Sequence, residues 1–166
     1  MGAPSRVKKV QAGSLVHNLR EVLTYRIPMV DLLLTKVVSS IYSRRAGLTV
    51  YQWKVLAAIG TFGPLPAAEI ARRATVDKAA VSRSVRQLME KKLIKRVLRD
   101  GNDPVLELLL TPAGQTAFEG IVSELGTLQT RLLQGLDKNG RAALFEGLLV
   151  LEDNLREVQD LPPRTA

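Results

Sequence analysis

The sequence predicts a mainly α-helical protein with one small β-hairpin, on three observations. Apolar residues recur at three- and four-residue spacing along most of the 166 residues. Two short runs, KRVLR at 95–99 and PVLELLLT at 104–111, read instead as strands around the turn Asp100-Gly101-Asn102-Asp103. Capping residues, glycines and prolines cut the rest into four helices before the hairpin and two after it. The length suits one domain, and the 46% apolar content suits an ordinary core.

Residues 1–12 read as a flexible basic tail carrying Arg6, Lys8 and Lys9. A helical pattern runs from about Ser14 to Ser43, with Pro28 expected to interrupt it for want of an N–H. Val30, Leu33, Leu34, Val37, Val38 and Ile41 form its stripe, and Gly47 ends it. Thr49 is placed to cap the next helix. Val50, Trp53, Leu56, Ala57 and Phe62 are its expected buried stripe, and Gly60, Gly63 and Pro64 its break. A short helix follows from about Pro66, at its first position, to Ala74. Thr75-Val76-Asp77 makes a tight turn, and Asp77 caps a helix from Lys78 to about Lys92 whose inner stripe is Val81, Val85, Leu88 and Met89. After the hairpin, Thr111-Pro112 opens a helix to about Leu136. A last helix covers roughly Asp137 to Val158, with Leu144, Leu148, Leu151 and Leu155 on one face.

The charge is concentrated. Lys and Arg number 24 against 16 acids, a net +8. Between Pro66 and Arg99 lie ten basic residues and three acids, so this stretch holds a surplus of seven while most of the remainder is near neutral. Such a module favours a polyanion, because cations that meet phosphates release condensed counterions. A membrane-surface helix would need its charge opposite one broad apolar face, whereas this charge spreads over two short helices and the hairpin. The start, MGAPSRVKKV, has no apolar core of a secretory signal, and no run approaches a membrane span. The absence of cysteine excludes disulfides and thiolate chemistry, and a single histidine makes no metal site. Phosphate-loop, HExxH and GxSxG patterns are absent. A cytoplasmic protein that is not an enzyme, without cofactor or metal, is therefore expected.

Two short helices joined by a three-residue turn, the second rich in small polar and basic residues, match a helix-turn-helix. The second helix would enter the major groove by its N-terminal half. Ala79 and Ala80 would let the backbone come close, Ser82 can donate or accept, and Lys78 and Arg83 can reach base edges or phosphates. Arg86, a turn later, suits the backbone, and the hairpin would be the wing of a winged helix-turn-helix. At this point the chain resembles the MarR family of bacterial regulators. LTVYQWKVLAAI, GPLPAAEIARRATVDKAAVSRSVRQLMEKKLIKR and LLLTPAG carry the resemblance, which covers roughly residues 28–155. It implies a homodimer on a pseudo-palindromic operator in double-stranded DNA, acting as a repressor released by a small aromatic or phenolic anion. It further implies a division into an N-terminal helical dimerisation region (13–47), a DNA-binding domain (48–110) and a C-terminal helical dimerisation region (111–160).

The wing departs from the family pattern. Its tip has Asp103 and Pro104 where the family carries arginines, so either Arg99 substitutes from the base of the wing or the wing contributes little. Leu65-Pro66 replaces a capping Ser/Thr. Arg72 and Arg73 read equally as phosphate contacts or solvated charges. His17, Tyr42 and Trp53 are candidate effector contacts, although Trp53, on an apolar stripe, reads better as core. Two other readings stay open: a sensor or interaction protein with weak or nonspecific DNA binding, and an architectural protein that coats DNA.

Overall fold

A computed structural model describes residues 21–99 and 105–159. The order is α1 (Leu23–Ala46), α2 (Val50–Phe62), α3 (Ala67–Ala74), α4 (Lys78–Glu90), β1 (Ile94–Arg99), β2 (Val105–Leu110), α5 (Pro112–Leu132) and α6 (Lys138–Val158). It forms a winged helix with long helices before and after it. The chain divides into two compact units, one ending at Ile121 and one starting at Val122. The tail, residues 13–20 of the first helical pattern, and the hairpin tip lie outside the described residues.

Helix α1 starts at Leu23 and runs straight through Pro28, contrary to the expected interruption. Pro28 is only the sixth residue, so the missing N–H removes one bond near the helix start. The turn before it is held by Tyr25 N and Arg26 N, both donating to Val22 O at 3.0 and 2.9 Å. Gly47 ends α1 in the left-handed region at φ 59°, where a side chain would be strained, and Lys91 Nζ donates to its carbonyl at 2.9 Å.

Thr49 caps α2 as expected, within a reciprocal box. Thr49 Oγ1 accepts from Gln52 N at 3.4 Å, and Gln52 Oε1 accepts from Thr49 N at 2.9 Å. The buried arc, however, is Gln52, Val55, Leu56, Ala58 and Ile59. Of the expected stripe only Leu56 is fully buried. Trp53 and Ala57 are half-buried, and Val50 and Phe62 are exposed. The arc is turned because α3, α4 and β2 all pack on this helix. Gln52 can sit inside because each side-chain polar atom is satisfied, its Nε2 donating to Gln87 Oε1 of α4 at 2.9 Å. Gly60 does not break α2. It lies within the helix beneath the Phe118 ring, and the end comes at Gly63.

Pro66 precedes α3 as its cap residue rather than occupying its first position. Asp77 caps α4, its Oδ1 accepting from Ala80 N at 2.8 Å. The inner side of α4 is Ala80, Val81, Ser84, Val85 and Leu88, so Ala80 faces the core and only Ala79 is exposed. Strands β1 and β2 pair antiparallel from Ile94↔Leu110 to Arg99↔Val105. Leu65 adds a one-residue bridge to the other side of β2, exchanging bonds with Leu108 at 3.1 and 2.8 Å. The core gathers Leu56, Ile59, Ile70, Leu88 and Ile121.

The base of the hairpin is tied at one carbonyl. Leu93 O accepts from Thr111 N at 3.0 Å, while Thr111 Oγ1 donates to the adjacent Lys92 O at 2.7 Å and lies 3.2 Å from Leu93 O. Thr111 Oγ1 in turn accepts from Gly114 N at 3.0 Å and starts α5. A Cβ on Gly114 would stand 1.9 Å from Leu93 O. In the second unit, Asp137 caps α6 by accepting from Gly140 N at 2.7 Å. Helix α6 buries no residue, and Leu144, Leu148 and Leu155 of the expected stripe are exposed.

Gly114→Ala should therefore destabilise the protein by about 3 kcal/mol, since backbone must move to admit the methyl group. Gly120→Ala, on the same helix with nothing within 4 Å, should be neutral or stabilising by up to about 1 kcal/mol. Urea denaturation of the two variants beside the wild type checks both.

Candidate nucleic-acid interface

Helix α3 is short and amphipathic, and its Ile70 is fully buried. It ends at Thr75, which takes a left-handed conformation at φ 51° and lets the chain reverse into α4. Val76 drops into the core as the pivot of this turn. With Val81, Val85 and Leu88 inward, α4 presents Lys78, Ala79, Ser82, Arg83 and Arg86 to solvent. The sequence-predicted recognition residues thus share one exposed surface.

The cations of the basic module fall into two groups. In the first, the side chains are engaged within the chain. Arg72 holds Glu69 through Nε and Nη2, at 3.0 and 2.5 Å, and Arg73 Nε meets the same carboxylate at 2.6 Å. Arg73 also lies over the Phe62 ring, 4.2 Å from its centroid. The hydrogen bonds from Arg72 and Arg73 pull the Glu69 carboxyl down to about 2. Arg99 Nε pairs with Glu107 at 3.4 Å. In the second group, the side chains of Lys78, Arg83, Arg86, Lys92, Lys95 and Arg96 make no hydrogen bond or ion pair among the described residues.

Arg96 was not singled out by the sequence reading. Strand alternation puts Ile94, Arg96 and Leu98 on one face of the hairpin with Leu106 and Leu108. That face is turned to α4. Ala67, Lys78, Ser82, Val85, Arg96 and Leu106 share one surface depression, and Ser82, Arg83, Arg86, Glu90 and Arg96 share a second. The signal was present as a period-two pattern, but it is silent on which face the helix covers. Arg99 falls on the other face, with Val97 and Glu107.

Of the candidate effector residues, His17 lies outside the described residues. Trp53 is stacked between Tyr42 and Phe118, 6.2 Å from each ring centroid. Tyr42 is buried, which raises its phenol pKa. It borders a shallow depression lined by Thr35, Ser39, Ser43 and Thr49, which Trp53 does not reach. Among the described residues there is no cluster of metal-ligating side chains, and no helix is long and apolar enough to cross a membrane.

The MarR family model matches residues 46–103, from the end of α1 to just past β1, and stops short of β2. Over that stretch the chain is similar to the MarR family. The HTH-type transcriptional repressor MdtR of Bacillus subtilis (strain 168) is 33% identical over 92 residues, 55% of this chain. That match spans 59% of the repressor's own length. Among solved structures, a MarR/EmrR family transcriptional regulator from Acinetobacter sp. ADP1 superposes with a TM-score of 0.74 at 24% identity, over 84% of this chain and 99% of that one. Staphylococcus aureus MarR in complex with salicylate and kanamycin gives 0.73 at 17%, over 89% and 99%. A complex of S. aureus MepR with DNA gives 0.71 at 20%, over 82% and 98%.

The Glu69 pair supplies a pH test. Its folded-state pKa is depressed, so the stability it contributes is present above the ordinary carboxylate range and is lost as pH falls from about 4.5 towards 2. Glu69→Gln should melt below the wild type at neutral pH, and the gap should close across that acid window. Thermal unfolding at a series of pH values reads it directly.

Proposed function

We propose that the chain is a sequence-specific DNA-binding transcription regulator, working as a homodimer on a pseudo-palindromic operator, and acting as a ligand-responsive repressor. One observation carries the reading. The outward side of α4 holds Lys78, Arg83 and Arg86 with no partner among the described residues, while the inward side is packed into the core. Arginines that neutralise no neighbour are available to phosphates and base edges, and the small Ala79 and Ser82 let the helix approach the groove floor. Arg72 and Arg73, bridged to Glu69, are available only if that carboxylate shares them.

Dimerisation finds support in the terminal helices taken separately. In α1, Leu23, Ile27, Val30, Leu33, Leu34 and Val37 are all exposed, and α6 exposes Leu144, Phe145, Leu148, Leu149 and Leu155. Apolar surface on that scale calls for cover, and a second copy supplies it symmetrically. The salicylate of the S. aureus MarR complex supports an aromatic anion as the effector class.

A second reading, a sensor with weak or nonspecific DNA affinity, is favoured by one feature. Arg99, the cation nearest the acidic wing tip, is already paired with Glu107.

Selection of bound duplexes from a random pool should return a palindromic consensus. Recovery of no consensus would overturn specific regulation. Arg83→Ala should cost about 1–3 kcal/mol in affinity for the selected duplex while leaving the melting temperature unchanged. Light scattering at micromolar concentration should give twice the 18.2 kDa chain mass, and a monomer mass would contradict the dimer.

A further inference from the structure

We infer that Arg96, on the helix-facing side of wing strand β1, is a DNA-backbone contact, so that the wing meets DNA from its base beside α4 rather than from its tip. The inference rests on the DNA-binding reading above and adds a residue and a contact type to it.

Three features lead there. First, the Arg96 side chain is exposed and makes no hydrogen bond or ion pair among the described residues, unlike that of Arg99 three positions on, which Glu107 engages. Second, it shares one depression with Lys78 and Ser82 and the other with Ser82, Arg83 and Arg86. The guanidinium therefore belongs to the same cationic surface as the recognition helix, with Glu90 the one carboxylate bordering these two depressions. Third, the charges in the hairpin tip sequence Asp100-Gly101-Asn102-Asp103-Pro104 are all negative, which suits no approach to a phosphate.

The contact type follows from size. A helix with its side chains is about 10–12 Å across, and the major groove is about 12 Å wide, so α4 fills it. A side chain projecting from the strand alongside meets the wall of the groove, which is sugar and phosphate. Arg96 can grip a phosphate with two parallel N–H donors, a geometry lysine reproduces only as a point charge.

A phosphate contact is independent of sequence, so a duplex of random sequence is a sufficient probe. The full-length wild type, Arg96→Ala and Arg96→Lys are titrated with it by fluorescence anisotropy across a potassium chloride series, with thermal unfolding of each protein alongside. The expected result is a several-fold loss of affinity in Arg96→Ala at an unchanged melting temperature. The slope of log affinity against log salt should also fall in magnitude by about one. Arg96→Lys should keep the wild-type slope. A wild-type slope in Arg96→Ala, or an affinity loss that tracks a lowered melting temperature, would overturn the inference while leaving the DNA-binding reading intact. A wild type that shows no salt-dependent binding would overturn both.

Discussion

The winged helix depends on the meeting of three chain segments at Leu93 O. The carbonyl lies just beyond α4, at the start of the wing. It takes the backbone N–H of Thr111, whose hydroxyl reaches the neighbouring Lys92 O, and Gly114 leaves the space in which that approach is possible. Helix α4, the hairpin and α5 therefore share one fixed point. Shifting it would move the wing relative to α4, and with it the relation between Arg96 and the cations of the helix. The Leu65–Leu108 bridge pins the same hairpin from the other side. The position of the wing is thus set by directional backbone hydrogen bonds together with the packing of buried Ile94 and Leu108.

Around this point the chain holds its own charges in two ways. Cations close to the scaffold are consumed by it: Lys91 closes the end of α1, and Arg72 and Arg73 fold back on Glu69. Cations on the outward face of α4, and Lys95 and Arg96 of β1, are left to solvent. The net charge of the segment alone overstates what a polyanion could meet, because part of it is already spent on internal contacts. For that reason the division between engaged and unengaged side chains says more about function than the count does.

Much of this was legible in the sequence, and the exceptions have physical reasons. Asp77, Thr49 and Thr111 each mark a helix start because a side-chain oxygen beside an apolar run has one geometric use, and all three cap as read. The buried arc of α2 was misread because its deciding residue is polar. Gln52 looks like surface until Gln87, distant in sequence, is seen to satisfy it. Pro28 misled for the opposite reason: a rule that holds in a helix interior weakens near the start. The face of α4 was legible because Val81, Val85 and Leu88 repeat at helical spacing. Arg96 was hidden, since a strand's alternation gives two faces and only tertiary packing shows which one the helix adjoins. The tip of the wing and His17 fall outside the described residues.

The unpaired edge of β1 has a consequence separate from any ligand. β2 is flanked on both sides, by β1 and by Leu65, but among the described residues β1 pairs on one side only. A short strand with a bare edge and exposed Val97 and Leu98 is a template for edge-to-edge association. Positive side chains at Lys95, Arg96 and Arg99 oppose it, because two such edges cannot approach without stacking like charges. The charge on strand β1 therefore disfavours edge-to-edge pairing of two free molecules. Engineering that strips its charge to abolish binding would also remove what keeps one molecule's sheet from extending into the next.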